Sequence, residues 1–348
     1  MSEASVVHVV RSDGFAGVER YIAETATELA ARGWRVRVIG GDGSAMRSYL
    51  GDAVEHRPAR TTPQVFRALR AMGPSDVVHA HMTAAELPAA LLKRRLGARL
   101  VVTRHFAARR GASPAGRLAA RMIERRMDLQ LAISRFVADA TSSPCVVLHS
   151  GVRSSSEAVP RERVVLVMQR LEREKDTSTA LRAWAASGVA AHGWQLVLHG
   201  RGVEQDALRA LTSTLGIADS VTFAGFTDDA RGALRRAELL LATATAEPFG
   251  LAVVEAMAEG TPVIATRSGA HPETLGDDGA YFAPGDVAGC AAQLVRLTES
   301  ADERRTLGDR LRARQRASFS IAGHVDRLEV LYREQLDGSV ESNRVHDR

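Results

Sequence analysis

The sequence predicts an α/β protein made of two Rossmann-like domains facing each other across a cleft, and three observations carry that expectation. Short β-rich runs alternate with amphipathic helical segments at a steady pace, the pattern of parallel sheets covered on both faces. The alternation breaks at a polar, serine-rich stretch containing a proline, SGVRSSSEAVPRER at 150–163, and then restarts. A chain of 348 residues also exceeds one ordinary domain. The expected divisions are 1–155, 156–318, and a C-terminal helix and tail at 319–348.

Taken in order, VVHVV at 6–10 reads as a buried strand. The turn SDGFAG then leads into a helix on which Val18, Tyr21, Ile22, Ala26 and Leu29 recur at helical spacing. Gly33 stands where a glycine ends a helix. Further strands are expected at 35–39, 76–80, 100–105, 129–133 and 145–148. The second half offers strands at 164–168, 195–199, 221–224, 238–242, 262–265 and 279–282. A last helix near 322–336 is expected either outside the second sheet or packed back toward the first domain. Ligands of such sheets bind at the carboxyl ends of the strands.

Composition narrows the function. Apolar residues make up 45% and charged residues 25%, as in a soluble globular protein. No run of about 18 uncharged apolar residues occurs, and the N-terminus runs into a strand without signal-peptide anatomy, so the expected location is the cytoplasm. Cys145 and Cys290 have no motif spacing and apolar neighbours, which suggests buried free thiols. The net charge of +5 comes from arginine, since Lys93 and Lys175 are the only lysines among 46 basic residues. A chain-wide bias of that kind marks no nucleic-acid patch, and no nucleic-acid partner is expected.

The stretch EPFGLAVVEAMAEGTPVIA at 247–265 carries most of the chemistry. Pro248 biases Glu247 toward extended backbone, and Gly250 permits a tight turn into a helix. The N–H groups of Phe249, Gly250 and Leu251 would then stand free at a helix N-terminus, a site that favours an anion such as a diphosphate. Glu255, a turn further on, can accept hydrogen bonds from the vicinal hydroxyls of a ribose. Glu247 would face what lies beyond the phosphates.

This stretch resembles the E-x7-E motif of the large GT4-like family of retaining glycosyltransferases (group 1), and the resemblance covers nearly the whole chain. It implies the GT-B fold, with an acceptor-binding N-terminal domain and a donor-binding C-terminal one. MQRLEREKD at 168–176 resembles the family's G-R-L-x-x-x-K element, which implies that Arg170 and Lys175 grip the donor diphosphate; Gln169 replaces the usual glycine. Gly14 and Gly17, in SDGFAGVERY, resemble the family's N-terminal glycine loop, with Gly17 closing over the phosphates. His105 stands where the family has a histidine on the transferred sugar. The segment near Phe226 and Thr227 would read the base, and GRG at 200–202 would line the donor cleft. His149 and Ser150 replace the family's Asn-Gly pair.

The expected activity is transfer of a sugar from a nucleoside diphosphate sugar, UDP rather than GDP, to an acceptor hydroxyl with retention. The catalytic set is His105, Arg170, Lys175 and Glu247, with Gly17, Phe249, Gly250, Leu251 and Glu255 on the donor. No cofactor is expected. Nor is a metal: no D-x-D triplet is present, and His79 and His81 share one strand face without a third ligand at recognisable spacing. The acceptor is a small molecule, a saccharide or a lipid-linked sugar. For the last of these, the basic segments LLKRRLGAR at 91–99 and RLAARMIERRMD at 117–128 would touch the inner face of the membrane. The alternatives are an epimerase of the same fold, which needs no acceptor, and a non-catalytic nucleotide-sugar-binding subunit.

Overall fold

Valine and leucine dominate the strands because branched and apolar side chains suit a pleated surface buried on both faces. The structure, a computed structural model, describes residues 4–107, 114–141, 143–154 and 159–338. The chain forms two compact units, Met1–Gly151 with Ile321–Arg348, and Val152–Ser320. The boundary expected at 155/156 lies outside the described residues, as do the end of the tail and part of the serine-rich stretch.

The first unit comprises β1 Ser5–Val10, α1 Gly17–Ala31, β2 Arg35–Ile39, α2 Gly43–Leu50, β3 Glu55–Arg57, α3 Thr62–Ala71, β4 Val77–His81, α4 Thr83–Leu96, β5 Arg99–Arg104, α5 Pro114–Glu124, β6 Leu129–Ala132, α6 Arg135–Asp139 and β7 Val146–Val147. Its parallel sheet has the order β3-β2-β1-β4-β5-β6-β7. Strand alternation divides the core: Val6, Val10, Val77 and Val101 face one layer, and Val7, Val9, Val78 and Val102 the other. His8, His79 and His81 share the parity of the first set. Helix α1 ends as its sequence suggests, with Gly33 at φ +86°. There Gly33 N–H donates to Ala30 O and Trp34 N–H to Leu29 O, closing the last carbonyls.

The second unit comprises β8 Glu162–Met168, α7 Thr177–Ser187, β9 Gln195–His199, α8 Gln205–Thr214, β10 Val221–Gly225, α9 Ala230–Arg236, β11 Ala237–Ala242, α10 Leu251–Glu259, β12 Val263–Thr266, α11 His271–Leu275, β13 Ala280–Phe282, α12 Val287–Glu299 and α13 Ala301–Ser318. Its parallel sheet has the order β10-β9-β8-β11-β12-β13. The last helix, α14 Ile321–Asp337, belongs to the first unit, and the placement outside the second sheet is corrected. The reason is its inner face: Val325, Leu328 and Tyr332 join the core beneath α1, and Glu329 accepts a 2.7 Å hydrogen bond from Trp34 Nε1.

Two further differences from the sequence reading appear. Strand β3 has the polar sequence EHR on the sheet edge, so no apolar run announces it. Cys290 is buried, but Cys145 is half-buried beside Thr141, with its thiol pKa raised by burial. Among the described residues no helix is long and apolar enough to cross a membrane.

Candidate active site

Each sheet has a place where its winding reverses, between β1 and β4 and between β8 and β11. Crevices form at the carboxyl ends of such strand pairs. In the second unit, β8 delivers Gln169 and Arg170, and β11 delivers the loop to Glu247. The Gln169 amide nitrogen lies 2.9 Å from Lys175 O, 3.0 Å from Thr177 Oγ1 and 3.1 Å from Thr243 Oγ1. Thr243 Oγ1 also donates to Lys175 O at 2.8 Å. The two loops are thus laced together where the family pattern has a glycine. Close approach passes instead to Gly200, at φ +139°, where a Cβ would stand 1.9 Å from Gln169 O.

The lacing presents Lys175 to Glu247. Lys175 Nζ donates to Glu247 Oε2 at 2.6 Å, with only 12% and 17% of the two side chains exposed. Glu247 Oε1 accepts from Gly250 N–H at 3.2 Å, so one of the three N–H groups expected to be free is already bonded. Gly250, at φ +85°, caps α10, whose first helical bond runs from Val254 N–H to Gly250 O. The N–H groups of Leu251, Ala252 and Val253 precede that bond and form the anion-favouring end of the helix. Phe249 turns its ring inward, 5.9 Å from Phe319, which leaves only its backbone for a ligand.

Burial raises the pKa of Glu247, but Lys175, His271 and the Gly250 N–H together outweigh it and hold the carboxyl below its ordinary value. His271 is held below its ordinary value, chiefly by burial. It belongs to a segment that the sequence reading missed: Ala270 N–H donates to Glu247 O at 2.9 Å, and a Cβ on Gly269 would stand 2.5 Å from Glu247 N. The run Gly269-Ala270-His271 after β12 was the available signal. Glu255 lies on α10 with 3% of its surface exposed. Arg170 is 61% exposed and pairs with Glu174 at 2.8 Å. Phe226 is also exposed.

Gly17 and His105 belong to the first unit. Gly17 opens α1, where Ala16 N–H donates to Glu19 Oε2 at 3.0 Å. His105 follows β5 and is buried in a group of histidines that the sequence only half revealed. His8, in register with His79 on the neighbouring strand, supplies a third imidazole to His79 and His81, with candidate ligand atoms all within 4.8 Å. Sequence spacing offered no third ligand because His8 is remote in sequence and adjacent only in the sheet. The donor set fits a cation poorly, because His79 already meets Tyr332 OH and Thr103 Oγ1 at 2.6 Å each, and His81 meets His8 and His105. His149, at the position of the family's Asn-Gly pair, uses its carbonyl to accept from His324 Nδ1 at 2.7 Å.

On the outside of this unit, α4 exposes Leu87 and Leu91 followed by Arg94 and Arg95. Helix α5 and the turn after it repeat the pattern with Leu118 and Met122 followed by Arg125 and Arg126. The side chain of Arg117 lies outside the described residues.

Comparison with known proteins agrees across both units. Residues 152–314 match the family model for glycosyl transferases group 1, and residues 15–154 match that for glycosyltransferase family 4. The N-acetyl-alpha-D-glucosaminyl L-malate synthase of Bacillus anthracis is 31% identical over 177 residues, 50% of this chain and 46% of that protein. An MMP alpha-(1->4)-mannosyltransferase of Mycolicibacterium hassiacum is 44% identical over 115 residues, 32% of this chain and 28% of that one. The matched regions thus span less than half the length of these curated relatives. Anabaena HepE, solved in complex with UDP and glucose, superposes with a TM-score of 0.79 at 21% identity over 95% of this chain and 100% of that one.

Proposed function

The chain belongs to the GT4-like group 1 glycosyltransferases of GT-B fold, and from that premise we propose that it transfers a sugar from a UDP-sugar to an acceptor hydroxyl, with retention and without a metal. The observation that carries this reading is the Lys175–Glu247 pair, held at 2.6 Å beside the N-terminus of α10 at the switch between β8 and β11. A cation, a helix end and a carboxylate there match the diphosphate and sugar of such a donor.

In this mechanism Lys175 and the first N–H groups of α10 hold the diphosphate, whose negative charge grows as the glycosidic bond breaks. Fixed positive charge at those oxygens stabilises the transition state, by several kcal/mol in comparable sites. Arg170 leaves Glu174 for the phosphates, a cheap exchange because an exposed ion pair is worth about 0–1 kcal/mol. Glu255 binds the ribose, and Gly17 closes over the phosphates. Glu247 and His105 hold the donor sugar, and the leaving phosphate oxygen takes the acceptor proton. A depressed pKa makes Glu247 a poor proton acceptor; that favours transfer over the epimerase reading, in which a carboxylate abstracts a sugar proton. For the acceptor side, the leucine and arginine faces of α4 and α5 suit an anionic membrane surface at which a lipid-linked acceptor is met.

The test is thermal stabilisation by UDP, GDP, ADP and TDP without metal, beside Glu255→Ala and Lys175→Ala. A ligand of the folded state alone adds about 2.7 kcal/mol at a hundredfold excess over Kd. Stabilisation by UDP that both variants lose supports the site. No response to any nucleotide would bring forward the non-catalytic reading.

A further inference from the structure

We propose that His8 and His81 are positioning residues that set the tautomer of His105, so that His105 presents a protonated Nδ1 to the donor sugar. The inference rests on the reading of His105 as a sugar contact. His8 Nδ1 lies 3.0 Å from His81 Nε2, and His81 Nδ1 lies 3.1 Å from His105 Nε2. The three rings come from within β1, from the end of β4 and from just past the end of β5 beside it, on one face of the sheet, with Tyr21 set edge-on against His81 and His105.

Each contact needs one hydrogen and one lone pair, and a neutral imidazole carries one of each. The choice made by one ring therefore dictates the next. Either all three carry the proton on Nδ1, or all three carry it on Nε2. Burial keeps the rings neutral, lowering His8 and His105 to about 3 and His81 well below its ordinary value.

The end of the chain selects between the two patterns. His8 Nε2 is buried and has no partner among the described residues. The Nδ1 pattern leaves a bare lone pair there, whereas the Nε2 pattern leaves a bare N–H, the costlier orphan by analogy with the backbone, where unpaired buried N–H groups are rarer than under-satisfied carbonyls. His324, against the same tyrosine, already makes this choice: its Nδ1 must donate to the His149 carbonyl, which leaves its partnerless Nε2 as a lone pair. His79 does not take part in the relay, because hydroxyls on both sides suit either of its tautomers. With the relay fixed, His105 accepts from His81 and offers an N–H from its remaining nitrogen.

Imidazole 15N NMR on the full chain tests this. The wild-type spectrum should show His8, His81 and His105 each as a single tautomer protonated on Nδ1; a proton on Nε2 of His105 would overturn the proposal. His81→Gln, whose amide can accept from His8 and donate to His105, should preserve the His105 signature. His81→Leu should lose it, and should lose roughly tenfold in kcat, the value of one hydrogen bond of about 1.4 kcal/mol. UDP affinity should be retained in both variants. Equal kcat losses in the two with the His105 tautomer unchanged would make His81 merely structural and sink the relay. A lost tautomer with undiminished kcat would instead refute the sugar contact, so the two failures are separable.

Discussion

Lys175 Nζ sits 2.6 Å from Glu247 Oε2, 72 residues apart in the chain, and this ion pair joins the loop after β8 to the loop after β11. Because both side chains are mostly buried, removing one charge strands the other. Lys175→Met and Glu247→Gln should each destabilise the second unit by about 1–3 kcal/mol, and the double variant by less than their sum. Urea unfolding of the four proteins provides the cycle. Binding should divide differently, with UDP affinity lost in Lys175→Met and kept in Glu247→Gln, which loses turnover. Equal UDP affinity in wild type and Lys175→Met would remove Lys175 from the donor site.

Gln169 offers a second test, because its side chain replaces a glycine with two contacts inside its own loop and one across to Thr243 on the loop after β11. Gln169→Gly restores the family residue, yet here it should cost about 1–3 kcal/mol by unpairing partly buried groups and loosening the backbone. The urea midpoint should fall and UDP should bind more weakly. An unchanged midpoint would mean that the glycine positions 200 and 202 hold the loops without help.

The elements that were legible in the sequence are those whose signal is local. Valine-rich strands, Gly33 at the end of α1 and the turn from Glu247 to Gly250 each declare themselves within a few residues. Strand β3 did not, since an edge strand with one pairing partner needs no apolar run. His8 was hidden for another reason: its relation to His79 is a register between parallel strands 71 residues apart. The bond from Gly250 N–H to Glu247 was equally invisible, because a free N-terminus and one satisfied by its own carboxylate have the same sequence. The site residues on one loop could be read together; those assembled across strands could not.

The apolar and basic faces of α4 and α5 lead to a third prediction. The protein should co-sediment with vesicles containing phosphatidylglycerol and not with phosphatidylcholine alone, with binding falling as salt is raised. The double substitution Leu91→Ser and Met122→Ser should abolish it without altering UDP binding. Sedimentation with neither vesicle would leave the exposed leucines as ordinary surface residues and point to a soluble acceptor.

Acid should destabilise the first unit earlier than its carboxylates would. His8 and His105 are lowered to about 3 and His324 to about 4, with His79 and His81 shifted the same way, all chiefly by burial. The unfolded chain takes up these protons near pH 6.5 while the folded chain refuses them, so stability is full above 6.5 and is lost as pH falls from there toward the folded values. Each such histidine contributes about 1.4 kcal/mol per pH unit within that window. Glu247 adds to the loss only below the ordinary carboxylate value of 4.5, because its lowered pKa stabilises the fold above it. Unfolding midpoints should therefore drop steeply between pH 6.5 and 5, and His8→Phe should flatten the slope by about one proton. A midpoint that stays level over this range in the wild-type protein would show that the histidines titrate in place, and with charged rings the buried group could not remain as it is packed.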